Sequence, residues 1–133
     1  METVSSFQFK GYKVIRSLIE IKDGNSGELS LEFDPKGVLD KSTKNFTLEM
    51  NVKIFDEIKN INIEVSLEGK FSFKEFDDNL NSFLLTNAPA LIFPYIRAYI
   101  TALTSLSGIS PITLPTMNLS SLKAKLERNI TEI

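Results

Sequence analysis

The sequence predicts an α+β domain: a four-stranded antiparallel sheet followed by helices packed on one of its faces. Three observations carry this. Residues 46–54 and 61–73 alternate apolar and polar side chains with period two, the mark of half-buried strands in an antiparallel sheet. Strand-like patterning comes first and helix-like spacing afterwards, the order of an α+β fold rather than of alternating βαβ units. Residues 87–107 then carry Arg97 as their single charge, so a helix built from them is apolar on more than one side. A helix in a free-standing domain needs one apolar stripe. This one needs cover from its own sheet and from something else, which predicts an oligomer.

The 133 residues suit a single domain, spanning 1–133. A first strand starts near Phe7 and reaches about Ile21. Phe7 and Phe9 share a face, and Gly11 permits a bulge. Beyond it Tyr12, Val14 and Leu18 take one side while Ile15, Ile19 and Ile21 take the other, so the strand is apolar on both faces. A polar crossover follows. Leu29, Leu31 and Phe33 then alternate with Ser30 and Glu32 in a shorter strand, ended by the turn-formers Asp34, Pro35, Lys36 and Gly37. Phe46, Leu48, Met50, Val52 and Ile54 share one face of the third strand. Ile61, Ile63, Val65, Leu67, Phe71 and Phe73 share one face of the fourth, with Gly69 holding the register. The short polar link 56–60 makes these two a long hairpin.

Asp77, Asp78 and Asn79 start a helix bearing Leu80, Phe83, Leu84 and Leu85. Asn87 is read as the cap of the next, with Pro89 in its first turn and Pro94 as a kink or restart. Ile96, Tyr99, Ile100, Leu103 and Leu106 repeat at helical spacing, and the small Ala98 and Ala102 let another helix approach. Gly108 and Pro111 are its stop signals. A last helix begins near Leu119. Its stripe of Leu122, Leu126, Ile130 and Ile133 is narrow, and Lys123, Lys125, Glu127 and Arg128 point away. Such a helix lies on a surface and could lift from it.

Composition narrows the function. Apolar residues make up 42% of the chain, enough for a core, and the net charge is −2, which offers no basic face for nucleic acid. Cysteine and histidine are absent, which removes thiol nucleophiles, disulfides, the usual zinc sites and Ser-His or Cys-His catalysis. Asp23, Asn25 and Gly27 lack the twelfth-position glutamate of a calcium loop. Glu75, Asp77 and Asp78 read as a helix start rather than a metal or acid–base cluster. No Gly-rich phosphate loop exists. Neither an enzyme nor a cofactor is expected. Residues 91–106 fall short of the ~20 residues of a membrane span and contain Pro94 and Arg97, so no membrane insertion is expected. The start Met1-Glu2-Thr3-Val4 has no signal-peptide pattern, and a cytoplasmic location is expected.

The loop after the long helix is the best site candidate. Ile109, Ile112, Leu114 and Met117 are apolar and are interrupted by Pro111 and Pro115. A stiff apolar loop beside a liftable amphipathic helix could line a groove that binds unfolded chains without reading their sequence. Arg97 is expected either to meet a carboxylate or carbonyl, because an unpaired buried charge costs several kcal/mol, or to lie exposed at the helix edge.

One family shares this layout. Phe93-Pro94-Tyr95-Ile96-Arg97 opens an apolar helix that runs to Ser107-Gly108; a Pro-rich loop from Pro111 to Pro115 follows, and then Met117-Asn118. This order resembles the SecB export-chaperone family, most specifically over residues 87–119. The resemblance implies a dimer of dimers with the long helices packed across a homotetramer, and ATP-independent holding of non-native polypeptides before export. Carried onto this chain, it implies client contacts at Ile109, Ile112, Leu114, Met117, Leu119, Leu122 and Leu126, with Phe7, Phe9 and Tyr12 on the sheet side. Subunit contacts fall at Tyr95, Ile96, Arg97, Tyr99, Ile100, Ala102, Leu103 and Leu106. Export members dock the SecA motor through acidic residues on the exposed sheet and a C-terminal tail, and Glu20 and Glu64 match two acidic positions. Arg16 stands where another acid is expected, little chain follows the last helix, and Leu119 replaces the usual aromatic. Some SecB-like proteins instead hold the antitoxin of a toxin–antitoxin system. A structural or adaptor subunit, whose apolar helix serves assembly alone, is a reading from another class, and a small-ligand binder with a closed pocket is a third.

Overall fold

The two alternating runs pair along their whole length. In the computed structural model, which describes residues 7–22, 27–58, 60–115 and 120–133, β3 (Asn45–Asp56) and β4 (Ile61–Phe73) form an antiparallel hairpin. Its register sets Phe46 opposite Phe71, Met50 opposite Leu67, Val52 opposite Val65 and Ile54 opposite Ile63. All eight side chains are buried on one face. β1 (Phe7–Ile21) flanks β4, and β2 (Leu29–Asp40) flanks β3, both antiparallel. The sheet has a fifth strand beyond the four expected. β5 (Ile130–Glu132) pairs parallel to β2, giving the order β1-β4-β3-β2-β5 and a mixed sheet.

Two bulges set the faces of β1. One lies between Phe9 and Gly11, where Gly11 takes a φ of 118°; the other lies between Val14 and Arg16. Each inserts a residue and reverses the alternation. Tyr12, Val14, Ile19 and Ile21 therefore pair with Gly69, Leu67, Ile63 and Ile61 on the helix-covered face. Leu18 pairs with Glu64 on the open face. The single bulge expected at Gly11 puts Leu18 with Tyr12, and Ile19 and Ile21 opposite; the second bulge corrects this.

β2 does not stop at Asp34-Pro35-Lys36-Gly37. The pairing runs on to Asp40 opposite Asn45. The outward-facing groups of this stretch are those of its odd residues, since the Gly37 N–H and the Leu39 carbonyl bond away from β3. Pro35 falls in that outward phase, so its missing N–H removes no bond to β3. Gly37 lies under the Phe46 ring, whose atoms would stand 2.8 Å from an added Cβ. The Asp40 carboxylate closes the β2–β3 turn, accepting from the Ser42 hydroxyl at 2.7 Å and the Thr43 N–H at 3.2 Å. These bonds hold its pKa below the ordinary carboxylate value. At the other end of the sheet, the buried Asp56 carboxylate accepts from the N–H groups of Ile61 at 3.1 Å and Gly27 at 3.4 Å. It thereby ties the β3–β4 turn to the crossover.

The two helices expected over residues 77–107 are one. α1 (Asp78–Ser105) is capped by Asp77, whose carboxylate accepts from the Leu80 N–H at 2.7 Å. Asn87 is no cap: its amide donates back to the Phe83 carbonyl within the helix. Pro89 and Pro94 lie inside it. Leu84, Ala88, Ile92, Ile96, Ile100 and Thr104, spaced by four, form the stripe buried against the sheet. Phe83 packs edge-on to Phe7, Tyr95 lies beside Phe9 and Tyr12, and the Tyr99 hydroxyl is 2.8 Å from Ser17 Oγ. α1 thus follows β1 in the same direction. Among the described residues no helix is long and apolar enough to cross a membrane.

α2 (Ser120–Arg128) is shorter than expected, because the chain turns at Asn129 and becomes β5. Leu122 and Leu126 are buried beneath α2. Lys125 does not point freely into solvent; its ammonium donates to the Phe33 carbonyl at 3.0 Å.

Candidate functional site

A furrow of aromatic and aliphatic side chains runs between α1 and the edge strand β1. Tyr12 stacks on Tyr95 with ring centroids 4.3 Å apart, yet the two residues remain 47% and 39% exposed. Phe9 is half-buried beside them, with its ring centroid 5.9 Å from that of Tyr95. Tyr99 and Leu103 continue the α1 wall, and Val14 and Ile19 continue the β1 wall, all half-buried. Among the described residues β1 is the sheet edge, and no further strand covers it.

The loop 106–115 closes the far end of α1. The Thr104 hydroxyl is buried; it donates to the Ile100 carbonyl at 2.8 Å and accepts from the Ile112 N–H at 2.8 Å. The Thr101 hydroxyl donates to the Ile112 carbonyl at 3.2 Å. These bonds fold the loop back onto α1. Leu106 stays 88% exposed, and Ile109 and Ile112 are half-buried. A convergent group of partly wetted apolar side chains can hold apolar chain segments. Among the described residues no cluster of histidine, cysteine or carboxylates could hold a metal ion.

The residues expected at the site divide in three. Tyr12, Phe9, Ile109 and Ile112 have accessible surface. Phe7, Leu114, Leu122 and Leu126 are buried in the core, so contact between a client and the last two, which α2 carries, requires α2 to lift. Met117 and Leu119 lie outside the described residues. Of the residues expected at subunit contacts, Ile96 and Ile100 are instead fully buried against the sheet of their own chain. Tyr95, Arg97, Ala102 and Leu106 are exposed, and Tyr99 and Leu103 half-buried. Arg97 takes the exposed position at the helix edge. Tyr95, expected at a subunit contact, and Tyr12, expected at a client contact, belong to one patch.

Comparison with known proteins bears on this arrangement. Residues 20–128 match the model of the family described as preprotein translocase subunit SecB. The chain belongs to the SecB family. It is 28% identical over 83 residues to the protein-export protein SecB of Anaplasma phagocytophilum, covering 59% of this chain and 52% of that one. It is 33% identical over 66 residues to the uncharacterized protein MJ0357 of Methanocaldococcus jannaschii, covering 49% of this chain and 43% of that one. The chain thus spans about half the length of these curated relatives. Its fold matches the Mycobacterium tuberculosis SecB-like chaperone Rv1957, solved with a ChAD peptide from the HigA1 antitoxin, with a TM-score of 0.73 and 18% identity. That match covers 85% of this chain and 88% of the other. The expected family and the expected α+β architecture are both borne out.

For a SecB chain, the open face of the sheet is the other surface of interest. Glu64 lies 3.5 Å from the Arg16 guanidinium, and Glu20 accepts from the Asn62 amide at 3.3 Å. Lys13 and Lys70 flank Glu68 at 3.8 Å and 3.4 Å. Acid and base alternate here, so the face is not an acidic patch.

Proposed function

We propose that this SecB-family chain is a cytoplasmic, ATP-independent holdase that binds non-native polypeptides by their apolar segments. The observation that carries the reading is the furrow, in which Tyr12 and Tyr95 are stacked yet still accessible. Soluble domains hide such surface unless it binds something. Each client side chain buried there contributes about 1.5–3 kcal/mol, so a few contacts suffice. The action is binding, not catalysis.

The test replaces Tyr12, Tyr95 and Leu106 together by Ser and measures suppression of client aggregation without nucleotide. The triple variant is expected to lose most of its protection while melting near the parent, since all three side chains are exposed. Equal protection would place the client surface elsewhere. A parent that protects no client would leave the structural-subunit reading.

Two client classes are in view, exported precursors and an antitoxin. The pairing of Glu64 with Arg16 favours the second, because it weakens the acidic surface that docking to SecA would use. The antitoxin peptide bound by the M. tuberculosis protein of the same fold is consistent with that choice.

The assembly proposed is a homotetramer built as a dimer of dimers. Ala98 and Ala102 are exposed on α1 four residues apart, small enough to let a second helix approach closely. Ala102→Trp is expected to weaken assembly by about 1–3 kcal/mol per site through overpacking. Sedimentation at micromolar concentration reads this. A parent that sediments as a monomer removes the tetramer, and a variant that assembles like the parent moves the helix contact away from Ala102.

A further inference from the structure

We infer that the outer edge of β2 at residues 37–39 is a strand-addition site for an extended peptide, and that β5 is its resident occupant. The inference rests on the client-holding reading only for the source of the peptide. Main-chain bonds define the edge: the Gly37 N–H donates to the Asn129 carbonyl at 3.1 Å, and the Ile133 N–H donates to the Leu39 carbonyl at 2.9 Å. A notch defines the side chain it takes. Gly37 has no side chain, and the space this leaves is shared by the Phe46 ring, 2.8 Å from where a Cβ would stand, and by the Ile130 Cγ1, at 3.2 Å. Ile130 packs against the core, whereas Thr131, Glu132 and Ile133 are exposed. Main-chain pairing for affinity and a pocket for one side chain are the two parts of peptide recognition by an added strand.

The occupant is held weakly. β5 has three residues and pairs in parallel, the less stable arrangement. The ion pair between Lys41 and Glu132, at 3.0 Å, is solvent-exposed and adds little. The site is also bounded. Lys125 and Asn129 take the Phe33 and Pro35 carbonyls at 3.0 Å and 3.2 Å, and Pro35 has no N–H to offer. An incoming strand can replace β5 but cannot extend past Pro35 while α2 stays in place. The peptide that fits is extended, with a branched aliphatic residue for the notch. A client segment of that kind would be held by its backbone, with the notch residue as its side-chain requirement.

The probe is a labelled peptide with the sequence of residues 129–133, and its control is the same peptide with Ile130→Asp. In the parent the tethered strand competes at high effective concentration. Thr131→Pro in the 133-residue chain removes an N–H from the middle of β5 and is expected to raise affinity for the probe at least tenfold. The control peptide should bind neither protein. Glu132→Lys sets a like charge against Lys41 and should give a smaller gain, which serves if Thr131→Pro unfolds. No gain in either variant, or equal binding of probe and control, overturns the inference. Aggregation suppression measured on the same samples separates the two readings. Probe binding without client protection keeps the edge and removes the holdase; client protection without a gain in probe binding keeps the holdase and removes the edge.

Discussion

Replacing Ile100 by Ala is expected to lower the unfolding free energy by about 2–5 kcal/mol, the range for truncating a fully enclosed Leu or Ile. Ile100 has no exposed surface and belongs to the stripe with Ile92 and Ile96 that faces the sheet. The cavity would open between α1 and the strands, where neither can close independently. Leu106→Ala, on the same helix but 88% exposed, should stay within about 0.5 kcal/mol. Denaturant titration of both variants reads the contrast directly. Similar losses at the two positions would mean that the helix phase is wrong and that Ile100 meets another subunit.

That phase was the part of α1 the sequence left ambiguous. Residues 87–107 are apolar on more than one side, so periodicity alone could not say which side meets the sheet. Ile96 and Ile100 are expected at a subunit contact, yet both are fully buried within their own chain. The deciding pattern is the spacing of Leu84, Ala88, Ile92, Ile96, Ile100 and Thr104, which turns three isoleucines in succession toward the sheet. Beside it Leu91, Tyr95, Tyr99 and Leu103 form a second stripe at the same spacing, and this stripe borders the furrow. Reading the two separately would have placed Tyr95 with Tyr12.

The strands were legible where alternation is unbroken. β3 and β4 match their predicted bounds because each buries one face and keeps the other polar. β1 matched in extent, but the second bulge near Ile15 has no glycine to announce it. β2 runs past its expected end because the outward phase of Pro35 and the Phe46 ring over Gly37 override the turn propensities of Asp34, Pro35 and Gly37. β5 was hidden for another reason. Ile130 and Ile133 continue the three-and-four spacing of Leu122 and Leu126, so a helix accounts for them as well as a strand does. The partner that makes them a strand, the free edge of β2, lies about ninety residues away in sequence, as the bond from Asn129 to Pro35 shows.

Gly69→Val gives a test whose sign depends on the fold. Gly69 lies inside β4, opposite Leu48 on β3 and Tyr12 on β1. In a strand with an uncovered face, valine should stabilise, because glycine loses more entropy on folding and β-branched residues favour strands. Here a Cβ would collide with the Ile92 side chain, standing 3.0 Å from its Cγ1, and 3.3 Å from the Phe71 ring. Ile92, which has no exposed surface, must then move within the packed core or carry the helix with it, at a cost of about 1–3 kcal/mol. Ile92→Ala alone should also destabilise, by about 2–5 kcal/mol. In the double variant the new methyl groups enter the space that Ile92 vacates, so the two losses should fall short of additive by more than about 0.5 kcal/mol. Thermal or denaturant unfolding of the four proteins closes the cycle. A Gly69→Val variant that melts at or above the parent would mean that α1 does not cross β4 at this glycine, and the placement of the furrow along β1 would fail with it.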